Sequence, residues 1–392
     1  MNRRGGADVV VVGGGVVGAT CALALAQRDL RVTLVEATTP PTWGRDRSDL
    51  RVYAFAADNV RLLEGLDVWR KVAAARAQPY RRMRVWDAGG GGELVFDADT
   101  LGRRELGWIV EHGLLVEQLW AALPGSGVEL RCPARVASLE QDETGVVLRL
   151  DDGSRLAGRV AIAANGSEST LRRLAGIGVS GHDYPQRGLV AYVATERGHE
   201  DTAWQRFLPG GPLALLPCTD GLSSIVWTLP EAASEQMLAL DDADFAQALT
   251  RAFDARLGHV TPVSPRAAFP LRRRLAETLV SSRVLVVGDA AHVVHPLAGQ
   301  GVNLGLRDVA ALVDTVDDAR RRRVDWTSAA RLQRWARTRR SEGAMAAGAF
   351  DALNRVFSND DLLATAMRGP LLGLAGHLPP LRRALWRRAA GE

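Results

Sequence analysis

The stretch Asp8-Val9-Val10-Val11-Val12-Gly13-Gly14-Gly15-Val16-Val17-Gly18 decides the fold. Four successive valines, Val9–Val12, read as a strand buried on both faces of a parallel sheet. Ala19–Gln27 reads as a helix, and Arg31–Val35 as a second strand that ends at Glu36. This is a complete βαβ unit with glycines at 13, 15 and 18. Gly13 allows the tight turn, Gly15 lets backbone N–H groups approach a pyrophosphate, and Gly18 lets helix and strand pack closely. Val17 belongs to the same turn, and the phosphates are expected at the positive end of the helix. Glu36 is placed to accept hydrogen bonds from ribose hydroxyls and to repel a 2′-phosphate. Strand, glycines, helix, strand and acid in this order point to a dinucleotide site far more specifically than the glycine pattern alone.

A crude hydropathy count would read the uncharged run Val9–Ala26, preceded by Arg3 and Arg4, as a signal or a spanning helix. Asp8 at its start and Gly13, Gly14, Gly15 and Gly18 within it argue against both. The remaining composition is that of a soluble globular chain. Its 392 residues imply two or three domains, with 47% hydrophobic and 24% charged residues. Lys+Arg exceeds Asp+Glu by 49 − 45 = 4, which makes no case for nucleic acid, and Lys71 is the single lysine. Cys21, Cys132 and Cys218 lack CxxC spacing, which argues against a disulfide framework or a zinc ribbon. Each thiol reads as a small buried apolar residue in a reducing cytoplasm.

Farther along, Arg81–Trp86, Glu93–Asp97, Gly188–Thr195, Trp204–Leu208, Leu213–Pro217 and Ser223–Leu229 read as strands separated by turn signals such as Pro209–Pro212 and Thr219–Gly221. They describe an antiparallel sheet inserted into the nucleotide domain. Gly127–Leu130, Val146–Leu150 and Val160–Ala163 read as strands that return to the first domain, and the chain from Trp326 onward as helical. The fold class is therefore α/β. A Rossmann-like domain takes 1–75, 106–180 and 275–325, a substrate-binding sheet domain takes 76–105 and 181–274, and a helical region takes 326–392.

Val284–Val287 is another apolar strand, followed by Gly288-Asp289-Ala290-Ala291-His292 and then by Pro296-Leu297-Ala298-Gly299-Gln300-Gly301-Val302-Asn303, which opens a helix running to about Val316. A domain that binds only NAD has no need of this second strand–Asp–loop–helix, whereas a flavin does. Asp289 can accept from a ribityl hydroxyl, and the turn at Gly299, Gln300, Gly301, Val302 and Asn303 can turn backbone N–H groups toward the flavin pyrimidine edge. The sequence thus calls for FAD, with Gly288 and Asp289 among its contacts.

Gly288–His292 together with Pro296–Gly305 resembles the flavin motif of the ubiquinone-biosynthesis aromatic hydroxylases, the UbiH/UbiF/VisC group of class A flavin monooxygenases, with a p-hydroxybenzoate hydroxylase-like fold. Asp49–Ala54, which carries Arg51, resembles the group's Asp-x-Arg segment. Gly107–Glu111, Tyr184–Gln186, Arg206-Phe207 and Gly211–Pro217 are similar to the group as well. Asn165 stands where the group carries aspartate in an Ala-Asp-Gly motif; it keeps the shape and one acceptor but loses the charge. His112 stands where asparagine is common, beside the expected ribityl side.

The resemblance implies that NAD(P)H and dioxygen act through FAD to hydroxylate an activated aromatic ring, with the protein supplying a dry pocket and orientation. Pro296 would lie at the reactive flavin face, and His295 is the candidate for proton exchange with a phenol. A metal pair of His292 and His295 has no third ligand, so no metal is expected. Tyr184 and Gln186 are candidates for the substrate cavity. The group's substrates are prenylated phenols. Accordingly the stretch Leu371–Arg388, apolar residues among arginines, reads either as a contact for the inner membrane face or a quinone-synthesis complex, or as a helix packed on the FAD domain. Two other functions stay open: a flavin hydroxylase of a soluble aromatic or secondary metabolite, and a flavoprotein scaffold without turnover.

Overall fold

The computed structural model describes residues 6–45, 49–89, 92–294 and 301–357. Ala7–Val12 is a central strand of an eight-stranded sheet. It pairs in parallel with Val32–Val35 on one side and Arg155–Ala163 on the other, so that Val9 lies opposite both Val32 and Val160. Glu129–Arg131 and Val284–Val286 extend the parallel run at its two sides. Val9, Val10 and Val11 are completely buried, which is why the strand runs apolar instead of alternating. Helix Val16–Ala26 is apolar nearly all round because it too is enclosed, with Cys21 through Leu25 all buried. Its first turn begins three residues before the expected Ala19. Val16 and Val17 are tolerated there because packing outweighs their modest helix propensity.

The parallel order brings Gly13, Glu36, Ala164 and Gly288 to one edge of the sheet, each just past the carboxyl end of its strand. In sheets of this kind that edge, beside the point where strand order reverses, is where ligands bind.

A nine-stranded second sheet contains Arg82–Asp87, Glu93–Asp97, Val179–Thr195, Thr202–Leu208, Gly211–Pro217, Ser223–Pro230 and Ala267–Ala276. It is antiparallel except where Thr202–Leu208 runs parallel to Arg82–Asp87. One face is covered by helix Asp242–Ala252, with Leu189, Ile225 and Trp227 clustered against Phe245 and Leu249. The other face turns Tyr192 and Phe207 toward Tyr80 and Ile109. Ala77–Tyr80 belongs to a small third sheet with Val52–Phe55 and Gly107–Glu111, and not to the second sheet. The strand expected at Gly188–Thr195 extends back to Val179. Its polar first half is held by pairing with Ala267–Ala276, a long-range contact that alternation cannot reveal. After Asp289 the chain crosses to the second sheet, where His292 and Val293 pair with Leu275 and Arg274. Helices Gly301–Arg321 and Ala329–Phe357 follow. Among the described residues no helix is long and apolar enough to cross a membrane. Cys21 and Cys218 are buried, whereas Cys132 is partly exposed.

Candidate functional site

Between the carboxyl edge of the first sheet and the face of the second lies a cavity of about 1110 Å³. It exceeds the roughly 300–1,000 Å³ typical of small-molecule clefts. Both sequence motifs open onto it. Gly13, Gly15, Val17 and Glu36 line it from the first, and Asp289, Gly301 and Val302 from the second.

The three glycines of the first turn do separate jobs. Gly13 has φ +111°, Gly15 would meet nothing within 4 Å if it bore a Cβ, and at Gly18 that atom would fall 1.8 Å from the Gly13 carbonyl oxygen. Gly18 therefore lies behind the cavity and sets the approach of helix to strand, while Gly15 leaves room in front. Helix Val16–Ala26 starts at Gly15 without a side-chain cap, so its first N–H groups are left for an anion. Glu36 Oε2 accepts from Gly14 N at 2.5 Å and Oε1 from Thr38 N at 3.0 Å, which fixes the carboxylate at the rim. Trp120 Nε1 donates to the Gly14 carbonyl at 2.7 Å, locking the turn from behind.

At the second motif the Asp289 side chain is 44% exposed, and its Oδ2 lies 3.7 Å from a guanidinium nitrogen of Arg51. Gly288, at φ +62°, turns the chain here. Its N–H donates at 3.0 Å to Oδ2 of Asp308, which also pairs with His292 Nε2 at 2.7 Å. The other oxygen of Asp308 accepts from Arg339 Nε at 2.8 Å. All three side chains are buried. Burial alone would push His292 down, but the Asp308 carboxylate beside it holds it above its ordinary value. Burial opposes ionisation of Asp308 as well, yet the flanking His292 and Arg339 keep its carboxyl below the usual range. Sequence reading missed this cluster. Asp308 and Arg339 sit in two separate helices, and the packing of those helices brings them together beside His292.

A third wall comes from the segment that carries Arg51. Asp49 accepts from Arg51 N at 2.9 Å and from Gly113 N at 2.8 Å. Buried Glu111 accepts from Trp43 Nε1 at 2.8 Å and lies 3.3 Å from Arg76. Tyr53 Oη and His112 Nδ1 are 2.9 Å apart. Burial and then the Arg51 charge push His112 down to about 4, while burial raises the Tyr53 phenol. At neutral pH both are uncharged. One of the two groups donates to the other across this contact, and His112 lines the cavity as a neutral imidazole. Asp49 belongs to the Asp-x-Arg segment that the resemblance singled out, whereas no role was read for the Tyr53 side chain, which carries no signature of its own.

Some expected residues lie elsewhere. The Asn303 side chain is used within the protein. It donates to Ala54 O at 2.7 Å and accepts from Ala56 N and from Asn59 Nδ2. It therefore fastens the third wall to the second motif. Tyr184 and Gln186 are not among the lining residues; Gln186 donates to Gly210 O at 3.0 Å, and Tyr184 packs edge-on against His182. Val190, Val226, Phe269 and Leu271 stand at the cavity instead. Asn165 lines it too, with its Oδ1 bonded to the Ser169 hydroxyl. His295, Pro296, Gly299 and Gln300 lie outside the described residues, as does the stretch Leu371–Arg388.

An uncapped helix start beside a glycine turn, a carboxylate at the second strand end and an aspartate from the second motif, all lining one cavity of about 1110 Å³, fit a dinucleotide with a ribityl chain, and so fit FAD. A family model described as FAD binding domain matches residues 6–340. The chain is 39% identical over 355 residues to the 3-demethoxyubiquinol 3-hydroxylase of Escherichia coli, covering 90% of each chain. It is 36% identical over 386 residues to ubiquinone hydroxylase UbiL of Rhodospirillum rubrum, covering 98% of this chain and 90% of that one. Among solved structures, p-nitrophenol 4-monooxygenase PnpA of Pseudomonas putida shares the fold, with a TM-score of 0.78 at 18% identity over 97% of this chain and 96% of that one. Cavity, motifs and relatives agree, and the chain belongs to the FAD-binding-domain family, within its group of ubiquinone-biosynthesis flavin hydroxylases, as an FAD-dependent monooxygenase.

Proposed function

We propose that the protein hydroxylates the aromatic ring of a prenylated phenol in ubiquinone biosynthesis, consuming NAD(P)H and dioxygen. The observation that carries this reading is the 39% identity to a 3-demethoxyubiquinol 3-hydroxylase over 90% of both chains. When bound, FAD supplies the redox chemistry, taking reducing equivalents from NAD(P)H and activating dioxygen. The chain's own residues bind and orient. The open N–H groups at Gly15 and Val16 receive the pyrophosphate, Glu36 the adenosine ribose, and Asp289 a ribityl hydroxyl. Neutral His112 gives the cavity a polar ring without adding charge. Val190, Val226 and Leu271 give the cavity an apolar wall that excludes water from an aromatic substrate.

In this reading 1–75, 106–180 and 275–325 hold the cofactor, and 76–105 and 181–274 shape the substrate space. His295 and Pro296 serve the proton exchange and the flavin face, as the motif implies. The protein works in the cytoplasm against the inner membrane face, where long-tailed phenols reside. The test is complementation of bacterial strains each lacking one quinone-ring hydroxylase, scored by the quinone intermediates that accumulate. Restored quinone in one strain supports the reading and identifies the ring position. Failure in every strain, with soluble yellow protein present, rejects it.

A further inference from the structure

Phe269, on the strand Ala267–Ala276, stands at the cavity wall with 40% of its surface accessible, while Leu271 on the same wall is 1% exposed. The ring has an unusual seat. Phe269 lies opposite Gly188 in the antiparallel register, and a Cβ on Gly188 would stand 2.9 Å from its Cζ. A side chain at position 188 would displace the ring, so glycine makes its bed. Two residues along from Gly188, Val190 faces Val226 of the neighbouring strand Ser223–Pro230, and both line the cavity as well. The opposite face of these strands is covered by Phe245 and Leu249, so the sheet presents an apolar lane only toward the cavity.

Elsewhere the cavity wall carries Glu36, Arg135 and Glu168, while Arg272, next to Leu271 on the Phe269 strand, is held by ion pairs to Glu168 and Asp183. A hydrocarbon chain laid across those groups would strip them of water without replacing their hydrogen bonds. The lane that ends at Phe269 has no such cost. It also has an accessible aromatic surface that gains from being covered.

We propose that Phe269, seated on Gly188, is the rim over which the apolar tail of the substrate leaves the cavity, and that it sets the preference for long-tailed over short-tailed phenols. This deepens the prenylated-phenol reading and rests on it. Contact with the tail is made equally in the ground and transition states, so its loss appears in KM and leaves kcat in place.

The test compares wild-type holoenzyme with the F269D, F269A and F269L variants on two phenols that share a head group, one with a long polyprenyl tail and one with a single isoprene unit. For the long-tailed phenol F269D is expected to raise KM by about 10–100-fold and F269A by about 10-fold. Both should leave kcat, flavin content and the single-isoprene KM within about two-fold of wild type, and F269L should restore the long-tailed KM. Equal losses on both phenols, or no loss on either with F269A folded and yellow, would overturn the rim. If the wild-type enzyme turns over neither phenol, the substrate reading falls and the rim with it.

Discussion

Glu36 holds two backbone N–H groups, one in the glycine turn and one just beyond its own strand, and still faces the cavity. Its charge shapes the turn and, in the proposed function, serves the ribose, so Glu36→Gln should loosen both. Hydrogen bonds to a charged group contribute about 1.5–3 kcal/mol, and we expect the FAD dissociation constant to rise by about 10–100-fold. Quenching of flavin fluorescence in a titration reads this directly, and an unchanged constant would show that Glu36 does not touch the ribose. His112 gives a second prediction. Its ordinary value is 6.5 and burial with Arg51 brings it to about 4, so unfolding takes up a proton between those values. The stability it contributes is complete above pH 6.5 and is lost as pH falls toward 4. His112→Asn removes this term, and the melting temperature of the variant should fall less than that of the wild type between pH 7 and pH 4. Parallel curves would contradict the neutral-histidine assignment.

Elements that bury a continuous apolar surface were legible from local pattern, and elements made by long-range pairing were not. Val9–Val12 needs only its own composition to be read as a strand. The first half of Val179–Thr195 is exposed or half-exposed and holds Gly181 and Pro185, so it reads as a loop until Ala267–Ala276 lies beside it. The same limit hid the joint at Asp308, where the flavin loop, helix Gly301–Arg321 and helix Ala329–Phe357 meet. Removing one member of a buried charged cluster leaves its partners unpaired, at about 3–5 kcal/mol. Asp308→Asn should therefore lower the urea midpoint. Because Gly288 N also loses a charged acceptor, FAD should be released at lower urea than it takes to unfold the rest of the chain. Coincident release and unfolding in both proteins would reduce Asp308 to a general stability role.

For the molecule as a whole, the sequence already implied that two distant glycine turns serve one ligand, because each has its own strand, its own acid and its own helix. The fold supplies the means, since parallel pairing of Ala7–Val12, Arg155–Ala163 and Val284–Val286 brings both turns to a single edge. Resemblance had named Arg51 and His112, but what pattern could not supply was how the third wall is joined. Asp49, Arg51, Tyr53 and His112 come from segments about 60 residues apart, and they are joined by antiparallel pairing of Val52–Phe55 with Gly107–Glu111 and by the Asn303 clamp. Which residues of the second sheet reach the cavity was equally out of reach. Tyr184 and Gln186 were singled out by resemblance, but the register of the second sheet brings Val190, Val226 and Phe269 to the cavity instead. A sheet face is decided by pairing across strands, and one strand read alone does not contain it.

In the proposed function one FAD is held jointly by the turn at Gly13–Gly18 and the turn at Gly288–Asp289. This joint hold is tested most directly by titrating the apoprotein with FAD and following the flavin absorbance and fluorescence, alongside the Asp289→Ala and Glu36→Gln variants. The account predicts one FAD per chain for the wild type with a dissociation constant at or below the micromolar range, weakened by each single change and abolished within the measurable range by the two together. Well-folded wild-type protein that stays colourless at micromolar FAD, or a wild-type affinity kept by both variants, would contradict it.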